Sequence, residues 1–168
     1  MIRNWGLRYG GTVVLFIGIG FFLLTVMRGL STYTSTYGFV LPGNVMLPIT
    51  PLMSWPPRDC RMWLRVNGTV DVLILDESGH LSFLNGEEPY PLMEYRNLKG
   101  NVLVFKIPIR GQLCLLVRNR GEKAVEGEVV ITLSGLESDL VFLSLLTLIA
   151  GVVLWIMGYL AWRKTVNP

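Results

Sequence analysis

The chain has 168 residues, 51% of them apolar, and a mean hydropathy of +0.48. That excludes an ordinary soluble domain until membrane segments have been sought. The net charge of +3 comes from the two chain ends and gives no argument for nucleic-acid binding.

Residues 1–9 carry Arg3 and Arg8 and no acid. Residues 10–27 then run 18 positions without a charge. About 20 helical residues cross a hydrocarbon core about 30 Å thick, so this run spans if Trp5 to Tyr9 lie in the headgroup layer. The competing reading is a cleaved signal peptide. Its apolar region is usually only about 7–15 residues long and ends at a small-x-small site. Here "RGLSTYTS" follows, which fits an uncleaved anchor better. Gly11, Gly18 and Thr25 recur at seven-residue spacing. They share one narrow helix face, where backbones can approach closely in lipid.

Residues 28–58 contain five prolines, Pro42, Pro48, Pro51, Pro56 and Pro57, which exclude a helix and break long central strands. An extended strand over 31–37 and a proline-stiffened arm are expected. Met46, Leu47, Met53 and Trp55 then either meet a partner or pack on the domain's own core.

Residues 59–135 read as a β-sandwich. "CRMWLRV" alternates: Cys60, Met62, Leu64 and Val66 take one face, and Arg61, Trp63 and Arg65 the other. Asn67-Gly68 reads as a tight turn, and "TVDVLILD", "HLSFLNG", "NVLVFKIPI", "QLCLLVRN" and "AVEGEVVITLSG" as further strands. Asn67-Gly68-Thr69 is a glycosylation sequon. Trp63 between Arg61 and Arg65 suits a surface that binds a ligand or glycan, or equally a covered face. His80 reads as a solvated strand end and Glu87-Glu88 as a solvated loop. No metal-ligand spacing, cofactor motif or nucleophile–base pair is present.

A short stalk at 136–139 leads to a second uncharged run, residues 140–162, of 23 residues. Ser144, Gly151 and Gly158 repeat the seven-residue spacing. Residues 163–168 begin Arg163-Lys164 and hold no acid. Basic flanks on both spans place both termini in the cytoplasm and the central domain outside the membrane, close to its surface. Neither span carries an ionisable group, which argues against an ion path. Arg28 and the pair Glu137/Asp139 lie where they can meet at the outer helix ends.

The order of features in "RDCRMW", "NGTVDVLILDESG", "LVFKIPIRG", "GQLCLLVRN" and "EVVITLSG" resembles the GOLD (Golgi dynamics) β-sandwich of the transmembrane cargo-receptor family, over about half the chain. The resemblance implies a jelly-roll-like domain for protein–protein contact, stapled here by Cys60–Cys114. The family's cysteine usually stands five residues after its glycine, whereas Cys114 stands three after Gly111. The coiled coil and the coat-binding tail are missing, so the trafficking role is not implied. A bridge over that loop would contribute about 4 kcal/mol in the chain-entropy model; two buried thiols are the alternative.

The expectation is an α + all-β membrane protein, with two transmembrane helices flanking an antiparallel jelly-roll-like sandwich. It needs no cofactor, and its partners are the lipid bilayer and other membrane proteins. The function expected is that of a non-catalytic accessory or receptor-like subunit. A peripheral subunit of a transport or secretion assembly and a glycan-binding surface domain are the alternatives.

Overall fold

A computed structural model describes residues 2–108 and 110–166. The chain opens with α1 (Ile2–Leu30), followed by β1 (Tyr33–Leu41), β2 (Met46–Pro48), β3 (Met53–Trp55), β4 (Asp59–Val66) and β5 (Val70–Asp76). Then come α2 (Glu77–Leu84), β6 (Met93–Leu98), β7 (Val102–Lys106), β8 (Gly111–Arg118), β9 (Val125–Ser134) and α3 (Ser138–Val166). Two compact units result: the helices from the chain's two ends, and the β domain Thr32–Ser134.

In the helical unit α1 and α3 pack antiparallel along the small residues. Gly11, Gly18, Thr25, Ser144, Gly151 and Gly158 are all buried. A Cβ added at Gly11 would meet the Trp155 backbone nitrogen at 2.5 Å, one at Gly18 that of Leu148 at 2.9 Å, and one at Gly151 that of Leu15 at 2.7 Å. The two stripes thus face each other, Gly11, Gly18 and Gly151 each admitting the partner's backbone. A seven-residue repeat is the period of left-handed helix packing. Away from the seam large apolar side chains stand exposed, Phe16 at 68% and Phe142 at 70% among them. Both helices are long and apolar enough to cross a membrane. Arg28 pairs with the buried Glu137 at 3.0 Å.

The β domain has two sheets of antiparallel strands. The four-stranded sheet runs β1-β9-β4-β7; in the five-stranded sheet the order is β2-β8-β5-β6, with β3 also on β8. Between them lies a core that includes Leu41, Trp55, Met62, Leu64, Val72, Ile74, Leu115, Val117, Val129 and Ile131. Trp55, Phe39 and Leu41 belong to it, so the sandwich begins at Thr32 and the proline-rich segment supplies three of its strands. Met53 packs against this core from its edge and Met46 against the outer cluster described next, while Leu47 is exposed.

Two expectations are corrected. "HLSFLNG" is not a strand: Glu77–Leu84 form α2. Asp76, extended at φ −84°, caps it by accepting from the Gly79 N–H at 2.8 Å and the Ser78 hydroxyl at 2.7 Å. At its far end Asn85 N–H reaches Leu81 O, and Gly86, at φ +78°, closes the last turn on Phe83 O. Asn85-Gly86 is therefore the stop of this helix.

The second correction is the Cys60–Cys114 bridge, because both thiols are free. Cys60 points between the sheets with Met62 and Leu64. On β8 the inward residues are Leu113, Leu115 and Val117. Period two therefore turns Cys114 to the outer face of the five-stranded sheet, where its Sγ lies 3.2 Å from Thr50 O. That outer face is itself apolar: Leu73, Leu75 and Leu116 are buried there under Met46 and Phe83 of α2. Strands covered on both faces read as continuous apolar runs, which hid the parity of Cys114.

Candidate functional site

The outer face of the four-stranded sheet is built around β4. Cys60, Met62 and Leu64 are 0–2% exposed on its inner side, so Arg61, Trp63 and Arg65 must point outward. The ladders place Trp63 between Val130 of β9 and Val102 of β7, and Arg61 between Thr132 and Val104. Arg65 lies opposite Glu128. The structure thus gathers the three residues expected at a surface site and adds neighbours that one strand's pattern could not supply.

Trp63 is 44% exposed, Val102 52% and Val104 67%. The Arg65 guanidinium sits 6.0 Å from the Trp63 ring centroid and donates to Glu128 Oε1 at 3.0 Å. At this wet site the ion pair contributes about 0–1 kcal/mol and the cation–π contact about 0.5–1 kcal/mol. Together they keep the Arg65 guanidinium over the indole ring. Arg61 makes no ion pair among the described residues. The result is a flat patch with an aromatic centre, two exposed valines and one uncompensated cation. Such a patch can bury apolar area and meet a carboxylate; it carries no acid–base or nucleophilic machinery.

The remaining candidates lie apart from it. Asn67 is exposed in the turn after β4, its Oδ1 accepting the Glu126 N–H at 2.9 Å. Burial pushes the Cys60 thiol up to about 12 and also raises Cys114, which suppresses the nucleophilic thiolate. His80 is half-buried within α2. Among the described residues no group of three or more His, Cys, Asp or Glu is placed to hold a metal ion.

Sequence reasoning missed an ionic network on the outer face of the five-stranded sheet. Asp71 of β5, 3% exposed at its side chain, accepts from Arg118 Nη2 at 3.0 Å, from Arg120 Nε at 2.5 Å and from the Asn97 N–H at 3.0 Å. Glu94 of β6 joins Arg118 at 2.8 Å and Arg96 at 2.8 Å. Burial pushes the Asp71 carboxyl up, but the Asn97 N–H and the two guanidiniums outweigh it and hold the group below the usual range. Next to it Asn119, 1% exposed, ties three carbonyls together through Nδ2: Leu41, Pro42 and Lys123. The available signal was an acid at an outward position inside the apolar run "TVDVLILD".

No protein-family model and no curated protein matches this chain. Among solved structures it is similar to a Yersinia pseudotuberculosis-derived mitogen, at 10% identity and TM-score 0.42, over 62% of this chain and 87% of that one. It is also similar to PirA, at 11% identity and TM-score 0.39, over 58% and 92%. A periplasmic inhibitor of g-type lysozyme from Aeromonas hydrophila aligns at 12% identity and TM-score 0.36, over 64% and 90%.

Proposed function

We propose that this chain is a non-catalytic, membrane-anchored interaction protein, a subunit of a membrane complex that presents the Trp63 face to a protein partner outside the membrane. In this reading α1 and α3 cross the bilayer as a tightly seamed pair, both termini are cytoplasmic, and the β domain lies outside. The carrying observation is the bare Trp63 face on a domain whose other sheet is covered on both sides. Exposed aromatic–aliphatic patches with arginine at the rim have the composition of interface centres. The helices support the anchor: their exposed leucines and phenylalanines have lipid as a matching solvent, and the basic flanks orient them. The buried thiols, with no base beside a nucleophile among the described residues, favour a role without catalysis.

The test is site-specific photo-crosslinking in native membranes, with benzoylphenylalanine replacing Trp63, Val104 or, as a reference, the exposed Leu84. An adduct of one defined mass from positions 63 and 104, absent from 84, is expected. Adducts from none of the positions, or from all three alike, would remove the reading. Labelling of Val104→Cys by an impermeant maleimide in intact cells is expected as well, and protection until lysis would reverse the orientation.

A further inference from the structure

The sandwich has four sides on which a strand ends the ladder, and they are not alike. In the five-stranded sheet, β2 and β3 are three residues each and interspersed with Pro48 and Pro51. On that sheet's other side β6 carries Glu94 and Arg96 and pairs with β5 through a register shift. In the four-stranded sheet, β7 is five residues long, contains Lys106 and runs into Pro108. Short length, proline, charge and irregular register are the devices by which proteins stop edge strands from pairing. The fourth edge, β1, has none of them. It is nine residues, "YTSTYGFVL", in continuous register with β9 from Tyr33↔Leu133 to Leu41↔Val125. It holds no charge and no proline, and among the described residues no strand pairs with its other side.

We propose that the free edge of β1 is a self-association surface. Two copies of this chain pair β1 with β1 antiparallel across a two-fold axis, joining their four-stranded sheets into one of eight. A second copy is the occupant that the strand itself specifies. An antiparallel strand pair is isologous by construction. Because β1 is uncharged, no like charges face each other at any register, a conflict that β6 or β7 would meet. Centred on Tyr37, all nine residues find partners. Tyr33 lies opposite Leu41 and Ser35 opposite Phe39 on the inner side, Thr34 opposite Val40 and Thr36 opposite Gly38 on the outer. The face alternation is kept throughout, as an antiparallel pairing demands. Gly38 leaves open space where a Cβ would stand, so the outer side close to the axis offers no steric barrier. Threonine already pairs with threonine across the β1–β9 junction, Thr34 Oγ1 to Thr132 Oγ1 at 3.1 Å. This contact is separate from the Trp63 face and does not depend on it.

The experiment is a cysteine scan of β1 in the full-length chain in its native membranes, with single substitutions at Thr34, Thr36, Tyr37, Gly38 and Val40. Cys60 and Cys114 are buried and serve as silent background. Under mild oxidation a homodimer band peaking at 36–38 and falling at 34 and 40 is expected. Thr36→Lys places two cations beside the axis and is expected to weaken the dimer about tenfold or more in native mass measurements, while Thr36→Val retains it. A flat or absent crosslink profile would overturn the proposal, as would a dimer that Thr36→Lys leaves intact. A crosslink from the same positions to a different protein would also overturn it and give the edge to a foreign strand. The Trp63 photo-crosslinking reads out independently, so each idea can fail alone.

Discussion

The two sheets of the sandwich use their outer faces in opposite ways. On the five-stranded sheet the outer face is a second interior: Leu73, Leu75 and Leu116 lie under Met46 and Phe83, and the adjoining polar patch is wired by Asp71. On the four-stranded sheet the outer face is bare, and Trp63, Val102 and Val104 meet solvent. The inner faces contribute equally to one core, so the difference is no requirement of the fold. Stability has been invested on one side, and apolar surface left available on the other.

The first contrast is between matched acids. Asp71→Ala removes the acceptor of Arg118, Arg120 and the Asn97 N–H, while Glu94 still holds Arg118 and Arg120 is half exposed, and is expected to cost about 1–3 kcal/mol. Glu128→Ala breaks only the exposed pair with Arg65 and should cost under about 1 kcal/mol. Urea unfolding of the detergent-solubilised chain measures both, and equal costs would abolish the distinction. The same network sets an acid limit. Asp71 and Glu94, the latter through Arg96 first, are held below their usual values. Their unfolded values are about 3.9 and 4.3. Their stabilisation is therefore complete above that range and disappears as pH falls through the lower folded values. Removing Asp71 should flatten the acid limb of stability against pH.

Next come matched apolar positions. Leu116→Ala, on the covered outer face, is expected to cost about 2–5 kcal/mol, as much as Leu115→Ala in the core between the sheets. Val104→Ala, outward on the bare face, should stay within about 0.5 kcal/mol. Thiol chemistry sharpens the picture from another side. Cys60 faces the core and Cys114 the covered outer face, and both should resist thiol reagents at pH 8 in the folded protein, whereas Val104→Cys should react readily. Fast reaction of Cys114 would show that the cover over β8 opens. Trp63→Ala should likewise change stability by only about 1 kcal/mol or less while removing the crosslinks of its face.

The helical seam was legible because each stripe shows on its own helix: a small residue every seventh position needs no knowledge of the partner. β4 was legible for the same reason, its alternation separating Cys60, Met62 and Leu64 from Arg61, Trp63 and Arg65. "LCLLV" and "VLIL" were not, since a strand buried on both faces has no period to read, and the parity of Cys114 was lost with it. α2 escaped because eight residues give little periodicity, and its signals were Asp76 as a cap and Gly86 at positive φ. The ionic network was invisible for a different reason. Residues 71, 94, 96, 118 and 120 come from three strands and a loop, and only the ladders β5–β6 and β5–β8 bring them together.

The pairing of Tyr33 with Leu133 also dictates a birth order. β1 is the first strand to be made, yet its ladder partner is synthesised 100 positions later. During that interval a neutral, β-prone strand has both edges unpaired, directly behind the first helix. Contacts so distant along the chain form slowly, and until they do any second nascent copy offers β1 an equivalent mate. Slowed elongation after residue 41 should therefore raise the yield of aggregates more than slowed elongation after residue 134.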